Sequence, residues 1–391
     1  MTNVDSKRTS GLLGVAGIAL ALLAGAASRS RAAEAALTPT PVKTSAADEY
    51  APAADGPWFS WTESSHDHPN RSNVFVRRGS GSKIRVNAAG THGAGGGLDG
   101  EILVYYEHRG NYAGDVRKFN LRTHRRSNFP SRVSTRWDEY HPTISGPWVL
   151  FTRYNSSHNT TKVLLYDTRS SQLRTLGADR GHRFVYSGQV NGDFATWGRV
   201  RPGGQDVYLY RISTKTTTTI PRPVFAQYNP VVTGNGTVYF ERSGNGCGAA
   251  VSLVRYPLGG PATVLYTYPD GIDGGYGYVD EKEDGSLDWL FGQVSCRTGR
   301  WDIYRVSDSH SVSVLKSGSG TGTVSSDPAG IDCGAACEAI FHGGTPVTLN
   351  ASAEAGSVFV GWSDPACGAN PTCEVTVEDD VSLTATFDPS P

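Results

Sequence analysis

Six copies of one short pattern, a glycine turn followed by an apolar and aromatic strand, run through the middle of the sequence. Two examples are Asp99-Gly-Glu-Ile-Leu-Val-Tyr and Ser145-Gly-Pro-Trp-Val-Leu-Phe. Asp-Gly and Asn-Gly pairs permit a positive φ, so such turns favour tight hairpins. The turn glycines lie 44 to 49 residues apart, at Gly56, Gly100, Gly146, Gly192, Gly236 and Gly285.

Each period also contains a second pair of short strand patterns, which predicts a unit of about four antiparallel strands. One such unit cannot bury both of its faces alone, whereas six packed around an axis form a continuous core. The 47 Gly, 18 Tyr and 8 Trp residues are typical of turn-rich β structure. We therefore predict an all-β protein with a six-bladed β-propeller over residues 48–310.

The repeat resembles that of the TolB-like six-bladed propeller family, in which a proline precedes an Asp-Gly turn and an apolar strand. Here Pro52, Pro142 and Pro230 precede the turn in three blades. The resemblance covers residues 48–310 and implies the architecture. It does not select a function, because such propellers serve as scaffolds, receptors, lyases and protease gates.

A different pattern of short strands and glycine-rich turns begins near Ser311 and predicts a small second β domain over residues 311–391. Gly361-Trp362-Ser363 and the closing Thr-Ala-Thr-Phe resemble the divergent internalin-B-type bacterial repeat, which implies an extracellular spacer or adhesion unit. The segment from Ser311 to Leu315 fits either the fourth strand of blade six or the first strand of this module.

The N-terminal residues have the order of a secretory signal peptide. Lys7 and Arg8 precede an apolar run from Gly11 to Ala27, and small residues follow it. The run is short for an uncleaved membrane anchor, which is the alternative. We predict a signal peptide over residues 1–35 and a linker over 36–47. The mature protein is then extracellular without a membrane span, either released or associated with the cell surface.

An even number of cysteines, six, favours disulfide bonds in an exported chain. Cys247 and Cys296 follow equivalent strands of blades five and six, and we predict that they pair. The other four cysteines allow three connectivities. We favour the two local bonds, Cys333–Cys337 and Cys367–Cys373.

An overlay of the repeats gives the best candidate site. A tyrosine recurs before the turn in four blades, acidic pairs precede it in blades one and three, and a His-Arg pair lies nearby in blade four. Innermost strands of a propeller line its channel, so these residues could form a face for sugar stacking or peptide capture. The alternative is that the tyrosines pack and tie blades together. The candidates are Tyr50, Tyr140, Tyr186, Tyr228, Asp48, Glu49, Asp138, Glu139, His182 and Arg183.

Catalytic and metal-binding signatures are weak. The sequence has no G-x-S-x-G or H-E-x-x-H motif, so we predict no catalytic residue and no metal centre. His66-Asp67-His68 lacks an evident third ligand, and we expect no cofactor unless the acidic pairs hold Ca²⁺. Residues 48–310 contain 30 basic and 25 acidic residues, whereas residues 316–391 contain one basic and ten acidic. A mildly basic body could favour an anionic polymer.

These observations favour a binding protein over two alternatives. The first interpretation is a secreted or surface-associated protein whose propeller recognises a glycan, a cell-wall polymer or a protein partner, with no nucleic-acid partner. The second is an extracellular carbohydrate-active enzyme of a lyase-like kind, with His182, Arg183, Asp138 and Glu139 as first candidates. The third is a purely structural envelope protein without a ligand.

Overall fold

Strands make up all the regular elements of the described residues. The computed structural model describes residues 37–110, 113–202, 204–221, 226–243, 250–282, 286–334 and 336–391. Its strands form six antiparallel sheets, one for each sequence repeat, followed by a four-stranded and a three-stranded sheet. The predicted all-β fold and six-bladed propeller are confirmed. The described part of the chain contains no helix long and apolar enough to cross a membrane.

Blades one to three take their strands in chain order from the axis outwards. The first strand of the chain, β1 (Thr40–Lys43), precedes blade one and is not part of it. The strands of blade one are β2 (Asp48–Asp55), β3 (Trp58–Ser65), β4 (His68–Arg78) and β5 (Ile84–Arg85). Those of blade two are β6 (His92–Ala94), β7 (Leu98–Asp99), β8 (Ile102–His108), β9 (Asp115–Asn120) and β10 (Arg125–Asn128). Those of blade three are β11 (Asp138–Ser145), β12 (Trp148–Asn155), β13 (Thr160–Asp167) and β14 (Leu173–Arg180).

Blades four and five repeat this order, and blade six contributes three strands of its own. Blade four comprises β15 (Phe184–Asn191), β16 (Phe194–Arg201), β17 (Gly204–Arg211) and β18 (Thr216–Thr219). Blade five comprises β19 (Ala226–Val232), β20 (Val238–Ser243), β21 (Val251–Tyr256) and β22 (Thr263–Thr267). Blade six begins with β23 (Ile272–Glu281), β24 (Leu287–Ser295) and β25 (Trp301–Ser307).

The apolar core of the propeller lies between neighbouring blades. For example, Leu150 and Val163 of blade three pack with Val185 and Trp197 of blade four in one buried cluster. Alternate residues of each strand face the blade on either side, so both faces of a sheet are covered. This explains why the repeat strands are apolar at successive positions.

The residue before a turn glycine ties its blade to the next one. The Asp55 carboxylate of blade one accepts a hydrogen bond from the Gly100 amide of blade two. Asp99 of blade two accepts one from the Gly146 amide of blade three at 3.2 Å. Ser145 then accepts one from the next turn, that of blade four, at 3.0 Å. The recurrent Asp-Gly or Ser-Gly pair therefore makes the turn and also joins adjacent blades.

The ring closes with a strand from the N-terminal side of the propeller. Strand β1 pairs antiparallel with β25 and becomes the outer strand of blade six. The Leu37 amide also donates to the Leu265 carbonyl oxygen of blade five at 3.1 Å. The structure therefore differs from the linker expected at residues 36–47. The strand is four residues long, contains Pro41 and lies at a sheet edge, where little alternation is required.

The C-terminal module consists of two sheets packed over one small core. Its strands β26 (Ser309–Ser317) and β32 (Val381–Pro389) are parallel neighbours, and Val312, Leu349, Trp362 and Phe387 belong to the buried cluster. The segment from Ser311 to Leu315 lies in β26, which pairs within the module, so the alternative of a fourth strand for blade six is excluded. The strands are β26 (Ser309–Ser317), β27 (Gly322–Asp327), β28 (Glu338–His342), β29 (Thr345–Ala353), β30 (Ser357–Trp362), β31 (Thr372–Val377) and β32 (Val381–Pro389).

Disulfide bonds support this thin core. The predicted local bonds Cys333–Cys337 and Cys367–Cys373 are both confirmed. Cys296 of blade six is also disulfide-bonded. Its predicted partner, Cys247, lies outside the described residues, so that pairing stays a prediction.

A buried ion pair holds the module against blade five. Arg255 of β21 is 0% exposed, and its Nη1 donates to both carboxylate oxygens of Asp308 at 2.7 and 2.8 Å. Tyr239 donates to the same carboxylate at 2.8 Å, and Arg255 Nη2 donates to Glu378 of the module. Two buried charges are stable only when they are paired and hydrogen-bonded in this way. The module is therefore a docked domain, not a freely tethered one.

Two histidines extend this contact. His342 of the module lies 3.4 Å from the Glu281 carboxylate at the end of β23. His310 lies 3.5 Å from the Asp308 carboxylate, which raises the pKa of the imidazole. Strands β21, β23 and β25 all end near these contacts. The module thus covers one end of blades five and six.

We predict that removing β1 opens the ring. A chain beginning at residue 44 loses the outer strand of blade six and the partly buried Leu37 and Val42. It should be about 1 to 3 kcal/mol less stable than a chain beginning at residue 37. Urea unfolding of both chains measures the difference, and limited proteolysis should cut β25 only in the shorter one. Equal unfolding midpoints would show that β1 does not close the ring.

We also predict that Arg255→Met uncouples the module. It leaves the Asp308 carboxylate buried without its cation, which should cost about 3 to 5 kcal/mol. Calorimetry should show the propeller and module unfolding in separate transitions. The control is Arg122→Met, whose partner Glu101 is 52% exposed and whose loss should cost less than about 1 kcal/mol. A single unchanged transition in the Arg255 variant would contradict the docking role.

Candidate functional site

A cavity of about 120 Å³ lies on the propeller axis and is lined by all six blades. In blade one its wall is Tyr50, Ala51 and Pro52, in the first half of β2. We call the end of the propeller where the innermost strands begin the entry end. The end where they meet the glycine turns is the turn end. The other lining residues are Ala94, Gly95, Gly96, His141, Pro142, Thr143, Ser187, Gly188, Asn229, Pro230, Gly277 and Tyr278.

The cavity wall alternates between two kinds of blade. Blades one, three and five have a Tyr-x-Pro sequence whose middle residue has a positive φ, namely 50° at Ala51, 49° at His141 and 50° at Asn229. Blades two, four and six have glycines at the same level. The cavity therefore has an approximate threefold symmetry that follows from the sequence.

Glycine is required in blades two and four because the prolines of blades three and five lie against it. A Cβ atom on Gly96 would lie 2.4 Å from the Pro142 oxygen, and one on Gly188 would lie 2.2 Å from the Pro230 oxygen. Both distances are far below normal contact. The Tyr-x-Pro and glycine segments thus interlock, and the cavity wall is rigid and largely apolar. His141 belongs to this wall, and its burial lowers the pKa of the imidazole to about 4.

The tyrosines predicted as a binding ring have different surroundings. Tyr186 is 7% exposed, lies over Gly198 and donates to Gln205 of its own blade at 2.8 Å. Tyr50 hydrogen-bonds Ser64 and Ser72 of its own blade, although it also borders the cavity. The contacts of these two tyrosines are those of packing residues within their own blades, which is the alternative to ligand binding given above.

The other two tyrosines, Tyr140 and Tyr228, are half-buried. The Tyr140 ring makes an edge contact with His141, with 4.9 Å between the ring centroids. Tyr228 is partly exposed, and burial together with nearby Asp273 raises the pKa of its hydroxyl. These rings remain candidates for ligand contact at the entry end.

The aspartates of the acidic pairs join each blade to the preceding one. Asp48 accepts a hydrogen bond from the Trp301 amide of blade six at 3.2 Å and lies 3.2 Å from His66 Nδ1. Asp138 accepts one from the Gly114 amide of blade two at 2.8 Å. Both bonds occur at the same register, which explains why the acid recurs.

The glutamates of the same pairs are fully buried and bind the segment that leads into their blade. Glu49 accepts from Lys43 Nζ at 3.0 Å and from the Ser45 amide at 3.2 Å. Glu139 accepts from Arg153 Nε at 2.7 Å and from the Thr135 amide at 3.1 Å. Replacing them would disturb the scaffold, so loss of binding in such variants would not identify a ligand contact.

His182 and Arg183 lie away from the axial cavity. Both side chains are exposed, and Arg183 borders a separate pocket with Arg199 and Arg201. The predicted site residues therefore do not form one site: the tyrosines and acidic pairs lie on the innermost strands, whereas His182 and Arg183 lie outside the axial cavity. No group of three or more His, Cys, Asp or Glu residues in the described ranges could hold a metal ion.

Sequence reasoning missed Glu241, which stands behind the cavity wall. Its carboxyl group is 3% exposed, and it accepts hydrogen bonds from Asn229 at 2.7 Å and from Tyr268 at 3.0 Å. Burial raises its pKa to about 8, so the group is mostly protonated at pH 7. The one signal in the sequence is an acidic residue that directly follows the apolar run of β20.

We predict that Glu241 makes the protein less stable as the pH rises. Its folded pKa, about 8, exceeds its ordinary value of 4.5, so between these values the folded state holds a proton that the unfolded state has lost. The unfolding free energy should then fall by up to about 1.4 kcal/mol per pH unit. Glu241→Gln should lack this component in urea unfolding between pH 5 and 9. If the unfolding free energies of the wild type and of Glu241→Gln depend on pH in the same way, the prediction is wrong. The control is Glu101→Gln, at an exposed position, which should leave the pH dependence unchanged.

Comparison with known proteins gives solved structures of low similarity and one family match. Three examples illustrate the low structural similarity. TolB from Acinetobacter baumannii has 12% identity over 61% of this chain and 60% of its own, with a TM-score of 0.41. The putative TolB from Agrobacterium tumefaciens has 13% identity over 66% and 90%, with a TM-score of 0.45. The propeller domain of the Trilobed protease from Pyrococcus furiosus has 11% over 67% and 94%, with a TM-score of 0.41.

The chain thus spans less than two thirds of the first of these structures. No curated protein matches the sequence. Residues 312–391 match the family model of the divergent InlB B-repeat domain. These are the residues of the docked module, and the match agrees with the resemblance seen in Gly361-Trp362-Ser363. The chain is therefore a six-bladed β-propeller that carries a divergent InlB B-repeat domain at its C-terminus.

Proposed function

We propose that this chain is an exported binding protein whose propeller recognises a ligand at its entry end. The observation that carries the proposal is that the module docks at one end of the propeller only. At the turn end, the module docks through Arg255. At the entry end, Tyr140 and Tyr228 lie half-buried near the start of the innermost strands, and a separate pocket lined by Arg183 lies at the same end of blade four.

Covalent structure supports export. The two disulfides of the module and the bonded Cys296 are typical of proteins that fold in an oxidising compartment. The signal-peptide pattern at residues 1–35 fits the same location. The docked module would then act as a fixed base that directs the entry end away from whatever the module contacts.

The ligand class follows from the chemistry of the entry end. Partly exposed aromatic rings stack on sugars and on apolar peptide side chains. Exposed arginines add recognition of acidic groups. A glycan, a cell-wall polymer or a protein partner fits these surfaces, and the propeller scaffold supplies the rigid frame that such recognition requires.

A binding screen tests the proposal. The chain from residue 37, which keeps β1, is applied to an array of glycans and cell-wall polymers, with Ca²⁺ or with a chelator. We expect a ligand whose affinity falls at least about tenfold in Tyr228→Ala. Arg122→Gln, an exposed change at the turn end, should have no effect and is the matched control.

The same screen separates the alternatives. Breakdown of a uronate polymer with new ultraviolet absorbance would replace binding by the lyase-like activity. Binding that is lost in Arg122→Gln but kept in Tyr228→Ala would place recognition at the turn end and contradict the proposal. Absence of any ligand on the array and among extracellular proteins would favour a structural role.

A further inference from the structure

A pocket at the entry end of blade four gathers three arginines. It is an open pocket of about 390 Å³ lined by Asp179, Arg183, Arg199, Arg201 and Pro202. Its wall combines the end of β14 in blade three with the end of β16 in blade four. We propose that this pocket binds the oxyanion of an acidic sugar residue within a glycan. The inference rests on the proposed function and names the ligand class of one part of the entry end.

Arg199 is held in place by contacts on one side of its guanidinium group. Its Nε lies 3.4 Å from the Asp179 carboxylate, and its Nη2 donates to the Ala178 carbonyl oxygen at 3.2 Å. Its Cζ lies 5.3 Å from the Trp197 ring centroid and 5.7 Å from that of Tyr208. These rings are stacked 4.0 Å apart, so they form a rigid floor under the cation. The guanidinium is thus oriented before any ligand arrives.

Arg201 is oriented in the same manner two residues further along β16. Its Nε lies 3.4 Å from the Asp206 carboxylate, and its Nη2 donates to the Tyr208 hydroxyl at 2.5 Å. Its side chain is 44% exposed and that of Arg199 is 25% exposed. Among the described residues, neither Nη1 donates a hydrogen bond. Both arginines therefore keep unused N–H donors at the pocket.

Arg183 supplies the charge that its neighbours lack. Asp179 and Asp206 balance the charges of Arg199 and Arg201, whereas Arg183 is exposed and makes no hydrogen bond or ion pair within the described part of the chain. The net charge of the pocket is thus positive. An exposed arginine beside two oriented ones can add a charge-assisted hydrogen bond to an oxyanion that the other two position.

The volume of the pocket and its balance of positive and negative charges favour one acidic sugar over a densely charged polymer backbone. A volume of about 390 Å³ lies within the range of small-molecule sites and can hold a sugar ring with its acidic substituent. The planar fork of arginine matches a carboxylate in two-point contact. The two aspartates would repel closely spaced phosphates such as those of a nucleic acid. Carboxylate, sulfate and phosphate substituents share this oxyanion chemistry.

The test measures affinity by calorimetry with the chain from residue 37. The probes are oligomers of galacturonate, a sulfated oligosaccharide, an oligomer of glycerol phosphate and a neutral galactose oligomer. We expect an acidic oligomer to bind, with an affinity that falls as salt rises, and the neutral one not to bind. Arg183→Gln combined with Arg201→Gln should weaken binding at least about tenfold, because charge-assisted hydrogen bonds are lost.

The matched control is Arg211→Gln, at the opposite end of the same blade. Arg211 also pairs with a carboxylate, that of Asp193 at 3.0 Å, and lies over an aromatic ring, Phe194. Its replacement should leave affinity unchanged. An equal loss in this variant would show that general charge, and not the pocket, attracts the ligand.

The outcomes separate this inference from the proposed function. If a glycan binds but the double variant keeps its affinity, the pocket is overturned and the binding protein stands. Equal binding of the neutral oligomer, or no acidic oligomer bound at millimolar concentration, also overturns it. The array with Tyr228→Ala, which leaves the pocket intact, then decides the proposed function alone.

Discussion

Each blade of this propeller has two apolar faces, and both are buried only if a neighbour stands on each side. That constraint requires a closed ring, and several separate features serve it. Leu150 and Val185 meet across one blade boundary, the Asp99 carboxylate binds the next turn, and β1 completes blade six. Loss of closure at any one seam exposes apolar surface on two blades, so the propeller depends on all its seams together.

The fold was predictable to the extent that its signals are local. Turn glycines and apolar strands lie within each repeat, so the number of blades could be predicted from the sequence. The pairing of β1 with β25 joins residues more than 250 positions apart. No pattern within the four residues of β1, Thr40–Lys43, predicts this pairing. Pairings between distant segments depend on which edge stays open, and that becomes known only when all six blades are placed.

The candidate site was harder to predict than the fold. A residue that recurs in several blades can either stabilise the scaffold or contact a ligand, and the sequence alone does not distinguish the two roles. The acidic pair recurs in blades one and three because its aspartate bonds to the preceding blade and its glutamate holds the segment that leads into its own blade; Asp138 and Glu139 are thus both already bound by the scaffold. A ligand contact needs a donor or acceptor that the fold has not used. Recurrence therefore marks the scaffold, whereas Arg183, which has no counterpart in the other blades, keeps its charge available.

Docking of the module makes the two ends of the propeller different. The buried pair of Arg255 and Asp308 places the InlB-type repeat at the turn end, and His342 extends the contact to the Glu281 carboxylate. A flexible spacer would leave both ends of the ring equally accessible, whereas a docked one covers part of one end and fixes the orientation of the other. Because isolated surface ion pairs contribute little, the buried position of Arg255 is what makes this orientation firm. The recognition proposed for the entry end then requires no movement between the two domains.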